Sequence, residues 1–495
     1  MNIPEILAPA GNMEKLKTAV LYGADAVYLG GKEHNLRAAA QGFDGEELRE
    51  AVAHAHARGA KVYYCINSLF REDEIKTLPA NIEQAADAGV DAFIVADAGA
   101  FQLKKTYAPK VPAHMSTQLN TCNSEAIQFW QSLGATRVNL ARELSSREIY
   151  SIRQAVPDME LEVFTHGAMC LAVSGQCLLS AWLNDRPANS GRCTQPCRFQ
   201  YRPHDVDALT KLGEREQFGE ARGQQELMEK SERGGHGERG RQGGQGGQGG
   251  QSGQGEPNKL GESGAPSLVV EEGLRPGEPL WEVQASGPDG QAGFSTMWAM
   301  EDLCLMPYVR WLTEHGVASL KIEGRMKGAA YVAHAVDAYK SAITCLAEKR
   351  PFNYHAYMSE LLHTASRPLG SGFFLPHKRR NYTEEMGTVP AAWQKELQTT
   401  QHLLAALVRG THHADGSAIV LAMRGQWKDG YALECMLPGL QRPVISSENF
   451  TMEGMDGQRL RVANSGQQVV LRLHDGAEDI AKSLQEGVFI RVIQG

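Results

Sequence analysis

Gly23-Ala24-Asp25-Ala26-Val27-Tyr28-Leu29 sets a glycine and a small residue directly ahead of an apolar run. The arrangement returns at Gly89-Val90-Asp91-Ala92-Phe93-Ile94-Val95, at Gly134-Ala135-Thr136-Arg137-Val138-Asn139-Leu140 and at Gly316-Val317-Ala318-Ser319-Leu320-Lys321-Ile322. Each glycine suits a helix C-cap, where the left-handed conformation costs it little, and the run that follows suits a strand buried on both faces of a parallel sheet. Amphipathic stretches such as Met13 to Leu21 and Glu46 to Ala57 supply the intervening helices. The apolar runs are Ile6–Ala8, Ala26–Leu29, Lys61–Ile66, Ala92–Val95, Ala113–Ser116, Arg137–Leu140, Leu161–Phe164 and Ser319–Ile322. Eight strands alternating with helices predict an α/β chain built on a (β/α)8 TIM-like barrel rather than an open doubly wound sheet.

About 150 residues separate the seventh and eighth runs, far more than an ordinary connection needs. Within that gap Gly234 to Gly255 is almost entirely Gly, Gln, Arg and Ser. Such a composition buries too little apolar surface to offset its ordering entropy, so residues 206–264 are expected to form a disordered insertion. In and beside the Gly-rich run only Arg233, Arg239 and Arg241 are basic, which favours a passive segment over an RNA-binding one. Ala330 to Ala347 reads as a helix, and Gly370-Ser371-Gly372-Phe373-Phe374 as a turn-rich connection. From about Gly387 the period changes to two, through Ala418–Met423, Tyr431–Leu437, Leu460–Val462, Val469–Leu473 and Val488–Ile493. The predicted organisation is a barrel over 1–350, a connection over 351–386 and a small antiparallel β-barrel domain over 387–495.

The chain has 495 residues, 42% of them hydrophobic and 22% charged, as in ordinary globular proteins. No run reaches the roughly 18 apolar residues that a membrane helix needs. Met1 to Gly11 shows no basic region leading into an apolar core, so no secretory signal is expected and the expected compartment is cytoplasmic. Fifty basic residues against 58 acidic ones give a net charge of -8, which excludes nucleic-acid binding by bulk charge and leaves only local patches. Candidates are Arg192, Arg198 and Arg202, and further on Lys378, Arg379 and Arg380, with Trp182, Phe199 and Tyr201 available to stack on a base.

Nine cysteines without an export signal argue against a disulfide framework. Cys170, Cys177, Cys193 and Cys197 crowd into one stretch just past the seventh strand, at the face where barrels carry their chemistry. A helix over Cys170 to Cys177 would set both thiols on one side, and Cys193 and Cys197, four apart, would share a side of a helical turn. Spacing alone leaves three readings open. Structural zinc usually asks for closer pairs, an iron–sulfur cluster tolerates wide spacing, and inert or redox thiols need neither. A cysteine peptidase with His166 or His114 as base would leave three of the clustered thiols unexplained.

Glu162-Val163-Phe164-Thr165-His166-Gly167-Ala168-Met169-Cys170, then Gly175-Gln176-Cys177-Leu178-Leu179-Ser180 and Gly191-Arg192-Cys193-Thr194-Gln195-Pro196-Cys197-Arg198, resemble the signature of the collagenase-like peptidase family. Ala8-Pro9-Ala10-Gly11, the Gly23–Tyr28 stretch and Lys321-Ile322-Glu323-Gly324-Arg325 are similar to it as well. Despite the peptidase name, the resemblance implies an oxygen-insertion protein with a 4Fe-4S cluster. Its branches hydroxylate ubiquinone precursors, a cytidine of large-subunit ribosomal RNA, or position 5 of the tRNA wobble uridine, the two RNA branches depending on prephenate. Glu271-Glu272-Gly273-Leu274-Arg275-Pro276-Gly277-Glu278 is similar to the tRNA branch. That implies tRNA and prephenate as partners, with the rRNA branch or a collagenase-like peptidase as alternatives.

The same resemblance implies Cys170, Cys177, Cys193 and Cys197 as cluster ligands. Cys304 departs from the tRNA-branch pattern; it is read either as a substitute for Cys197 or as a buried apolar cysteine on a helix. The two carboxylates of prephenate call for planar, permanently charged partners near strand ends, where Arg37, Arg142 and Arg325 lie, with Gln118 similarly placed. His166 and Glu323 are the candidate catalytic groups.

Overall fold

The computed structural model describes residues 3–36, 42–184, 186, 188–198, 201–205, 268–272, 300–375, 402–412, 417–422, 427–474 and 476–493. The chain divides into two compact units, residues 1–196 with 300–495, and residues 197–299. In the second unit Tyr201–Asp205 and Leu268–Glu272 pair as an antiparallel ribbon, with Tyr201 opposite Glu272. The whole of the expected insertion 206–264, the stretch Gly273–Glu278, and Arg37, Phe199, Lys378, Arg379 and Arg380 lie outside the described residues.

The first unit contains the expected closed barrel. Its strands are β1 (Glu5–Pro9), β2 (Ala26–Gly30), β3 (Lys61–Ile66), β4 (Ala92–Val95), β5 (Ala113–Met115), β6 (Arg137–Asn139), β7 (Glu160–Ala168) and β8 (Ser319–Ile322). Each pairs in parallel with the next, and β8 closes the ring by pairing with both β7 and β1. Side chains alternate strictly. Ile6, Ala8, Val27, Leu29, Val62, Tyr64, Phe93 and Val95 pack outward beneath the helices. Leu7, Ala26, Tyr28, Tyr63, Cys65, Ala92 and Ile94 form a separate cluster in the lumen. Some of the helices begin on side-chain caps, as where Asn12 accepts from the Lys15 amide and Ser145 forms a capping box with Glu148.

The lumen is charged at its N-terminal end. Arg137 of β6 binds Glu5 of β1 at 2.6 Å and approaches Glu162 of β7, while Lys321 of β8 binds Glu162 at 2.7 Å. Tyr63 donates to Glu5 at 2.6 Å and Ser319 does so at 3.1 Å. These contacts tie five of the eight strands together across the barrel axis.

Strand β7 is irregular where it leaves the barrel. Lys321 faces Phe164 but Ile322 faces His166, so Thr165 is the extra residue of a bulge. Its carbonyl turns outward to accept from the Leu305 amide and the Tyr339 hydroxyl. Beyond the bulge β7 pairs antiparallel with Asp302–Cys304, which pairs in turn with Leu369–Gly370. Cys304 therefore sits on a strand, not on the helix expected for it.

The described C-terminal strands form an eight-stranded antiparallel sheet whose first described strand is His402–His412, and the expected boundary near 387 lies outside the described residues. Among the described residues no pairing joins its two end strands, so their ladder is an open sheet. His402–His412, Val444–Ile445 and Phe450–Glu453 were not among the runs expected from periodicity. This sheet is bolted to the barrel helices Ala329–Ala347 and Tyr354–Leu362 by buried charge. Asp337 accepts from the amides of Gly439 and Leu440 and pairs with Arg442 at 2.7 Å. Glu360 pairs with Arg442 at 3.0 Å, Arg491 at 3.1 Å and His334 at 3.0 Å. The two arginines and His334 hold the Glu360 carboxyl well below the usual carboxylate range. Removing one member strands the others in a poorly solvated site. Arg442→Met is expected to cost about 3–5 kcal/mol in urea unfolding. Arg310→Met, which breaks the exposed pair with Glu314 and a cation–π contact 5.9 Å from the Phe352 centroid, should change stability by less than about 1 kcal/mol.

Candidate active site at the barrel mouth

A cavity of about 370 Å3, counting the open solvent in its mouth, lies at the C-terminal ends of the strands, where barrels carry their sites. Phe164 and Lys321 come from the last regular turns of β7 and β8, Asn139 ends β6, and Gln118, Arg142, Glu323 and Arg325 follow β5, β6 and β8. Tyr28, Cys65 and Asn67 complete the floor and near wall. Four of the expected site residues, Gln118, Arg142, Glu323 and Arg325, thus share one cavity although more than 200 positions separate the first from the last.

The charges in it are unevenly matched. Lys321 is neutralised by Glu162 below it. Arg142 lies over the Phe164 ring with its guanidinium carbon 3.9 Å from the centroid. It donates to the Ala168 carbonyl at 2.9 Å and reaches Glu323 only at 3.5 Å. Arg325 is 2% exposed and has no carboxylate partner among the described residues; its Nη2 donates to Asn35 at 2.9 Å. The Nε atoms of Arg142 and Arg325 are buried without a partner. A guanidinium carries its charge throughout the working pH range, and burying it unpaired is costly. A cavity built this way favours an anion.

Close approach shapes the site at two glycines. A Cβ on Gly11 would fall 2.3 Å from the Arg325 carbonyl oxygen, so Ala8–Gly11 and Lys321–Arg325, far apart in the chain, can only meet with glycine there. Gly167 has φ +112°, and a Cβ on it would stand 2.5 Å from the Glu323 carbonyl oxygen. The His166-Gly167 step is thereby fixed where β7 turns toward the cysteines.

The bulge sends His166 out of the barrel, away from the cavity. Its ring is 2% exposed, stacked 5.8 Å from Tyr331 and 5.6 Å from Tyr339, and Nδ1 has no partner. Burial lowers it to about 3. His114 is buried in the lumen and also lowered, chiefly by desolvation. No histidine lines the cavity, so neither serves there as the base that a cysteine peptidase would need. Cys304 is likewise withdrawn: its thiol lies 4.0 Å from the Tyr339 hydroxyl and 3.8 Å from the Met358 sulfur, and burial pushes it up to about 11. A metal ligand needs the thiolate, and this environment opposes it.

The cysteine segment is a loop, not the helix its spacing allowed. A short turn at Val173–Gly175 contains Ser174 at φ 41°, and Gln195 at φ 59° interrupts the path from Cys193 to Cys197. The loop is moored to the cavity rim. Ser174 donates to Glu143 through both its amide and its hydroxyl, and the Gln176 amide donates to the Gln118 carbonyl at 2.6 Å. Among the described residues no three His, Cys, Asp or Glu side chains converge as a metal-binding group. The donor chemistry nonetheless suits a soft metal. None of the four cysteines is in a disulfide, the Leu179 amide donates to the Cys177 sulfur at 3.4 Å, and the Gln195 amide donates to the Cys193 sulfur at 3.3 Å. Such N–H···S bonds stabilise thiolate charge. Cys197 falls in the second unit. Leu178 and Trp182, 77% and 85% exposed, flank this loop.

Residues 11–384 match the family model of Peptidase family U32. The chain belongs to that family. Over 460 residues it is 33% identical to tRNA hydroxylation protein P of Escherichia coli, covering 92% of this chain and 90% of that one. It is 32% identical to tRNA hydroxylation protein P1 of Bacillus subtilis, covering 94% and 91%. A shorter match, 39% over 197 residues and covering 40% and 29%, is to the 23S rRNA 5-hydroxycytidine C2501 synthase of E. coli. No described helix in this U32 chain is long and apolar enough to cross a membrane.

Lys321, Asn139, Tyr28 and Asn67 were missed as site residues. Their position at or just past strand C-termini was the available signal, but polar residues at strand ends are common and nothing local separates these from others.

The neutral His166 has a pH consequence. Its folded value lies below the unfolded value of about 6.5, so unfolding takes up a proton between the two. The stability it contributes is complete above pH 6.5 and is lost as the pH falls toward 3, by up to about 1.4 kcal/mol per pH unit. His114 and His334, lowered in the same direction, add to this loss. Urea midpoints should therefore drop from pH 7 to pH 5, while the His166 ring shows no titration in NMR spectra between pH 5 and pH 8. A ring signal titrating near pH 6 would contradict the buried stack.

Proposed function

We propose that this chain is an RNA hydroxylase that converts the tRNA wobble uridine to 5-hydroxyuridine, with prephenate bound in the barrel-mouth cavity and a 4Fe-4S cluster held by Cys170, Cys177, Cys193 and Cys197. The names of its relatives support RNA hydroxylation, and the two matches that span nearly the whole chain both bear names for tRNA hydroxylation. One observation carries the small-molecule part: Arg325 is a buried guanidinium without a carboxylate partner, facing a cavity that Arg142 also lines. A dicarboxylate such as prephenate satisfies both arginines, each through the planar fork that matches a carboxylate.

In this reading Arg142 and Arg325 bind and orient the ligand, and Glu323, which borders both, sets where its negative groups cannot go. Phe164 supplies an apolar wall for the ring. A cluster on the four thiolates supplies one-electron redox chemistry at the rim. Leu178 and Trp182 offer exposed apolar surface beside it on which an unstacked base can rest.

The test compares nucleosides by mass spectrometry in tRNA and rRNA from a strain lacking the protein. Loss of 5-hydroxyuridine derivatives from tRNA, restored by the wild-type chain and not by Cys170→Ala or Cys177→Ala, is the expected result. The same two variants should purify without the visible absorbance and labile sulfide of a cluster. Unchanged tRNA with hydroxycytidine missing from rRNA would instead assign the rRNA substrate. Separately, Arg325→Met should weaken prephenate binding by about tenfold to a hundredfold, the cost of losing a charge-assisted hydrogen bond. Unaltered affinity in that variant would remove prephenate from this cavity.

A further inference from the structure

Three side chains around the cavity hold buried polar atoms that meet no partner among the described residues: Arg142 Nε, Arg325 Nε, and both amide atoms of Asn139. Buried polar groups are nearly always satisfied, so together these atoms outline what the cavity is built to receive. The two guanidiniums only donate, and they describe an anion. Asn139 asks for something more. Its Nδ2 donates, but its Oδ1 accepts, and an ionised carboxylate has no proton to offer it.

The position of Asn139 follows from β6. Arg137 and Asn139 lie two apart and face the lumen, while Val138 packs outward. Arg137 is fully occupied by Glu5, Glu160 and Glu162. Asn139, one step nearer the mouth and 2% exposed, has none of these within reach. The neighbouring hydroxyls are committed elsewhere: Thr117 donates to the Leu140 carbonyl and Ser116 to the Gln118 side chain.

We infer that Asn139 reads a hydroxyl on a dicarboxylate ligand, accepting its O–H at Oδ1 while Nδ2 donates to a neighbouring ligand oxygen. Asn139 is then the specificity residue of the site, separating a hydroxylated dicarboxylate from one that merely carries the same charges. The assignment rests on the proposal above that the cavity holds prephenate, a dicarboxylate with a hydroxyl on its ring.

Calorimetric titration of the full chain tests it with prephenate and two saturated-ring analogues. Both analogues carry the ring carboxylate and the pyruvyl side chain, and only one keeps the ring hydroxyl. The wild-type chain is expected to bind the hydroxylated analogue at least about tenfold more tightly than the deoxy one. Asn139→Leu and Asn139→Ala should bind the two equally, deoxy binding being weakened by the lost Nδ2 bond but still measurable. Retained deoxy binding also shows that the variants are folded. A wild-type preference that survives both substitutions, or no wild-type preference at all, overturns the role of Asn139 while leaving prephenate in the cavity. That is the result expected if water alone satisfies the amide. Wild-type protein that binds none of the three compounds overturns the prephenate proposal, and this assignment falls with it.

Discussion

Everything at the barrel mouth depends on how β8 is seated. This strand arrives after a connection of about 150 residues, too long to guide it by chain length alone. Four residues of backbone pairing with β1 and β7 close the ring. The buried contacts of Lys321 with Glu162 and of Ser319 with Glu5 accompany that pairing in the lumen. A slip of one residue would turn Lys321 out among the apolar helices and bring Leu320 into a charged lumen. Burying ions is costly, and a pair satisfied in only one register contributes more to uniqueness than to net stability. With β8 held so, Glu323 and Arg325 emerge at the cavity and Gly11 can lie against the Arg325 carbonyl.

The bulge at Thr165 divides structure from chemistry on β7. Before it, Glu162 and Phe164 face the lumen and serve the ion pairs and the cavity. After it, His166 faces outward and anchors the Ala329–Ala347 helix through Tyr331 and Tyr339. The strand then runs on to the cysteine loop, which Ser174 ties to Glu143 and Gln176 to Gln118. The same outer helix carries Asp337 and His334 into the charged joint with the C-terminal sheet. One helix therefore touches both the back of β7 and the appended sheet.

The eight barrel strands, the Ala329–Ala347 helix and the gathering of site residues at strand ends were legible in the sequence. Glycine caps and continuous apolar runs are local signals, and a parallel strand buried on both faces leaves a strong one. The described C-terminal strands were less legible. His402–His412 has no clean alternation because its partners shift register twice, as the breaks after Leu404 and Val408 record. Helical spacing between the cysteines misled for a related reason: Ser174 and Gln195 take left-handed conformations that spacing cannot reveal.

By itself, then, the sequence determined which segments are the barrel strands, in what order they close, and which loops face the mouth, because these follow from the periodicity and caps of each segment. Only the tertiary structure decided what each polar residue does there. His166 lies in the cysteine motif and Cys304 is a further thiol, yet a single extra residue in β7 and the packing of Tyr339 take both away from the cavity. Asn139 looks like an ordinary strand end, and it became informative only when strands from distant parts of the chain enclosed its amide without satisfying it. Whether a buried polar atom has a partner is a property of the assembled barrel, since the atoms that could satisfy it come from elsewhere in the chain.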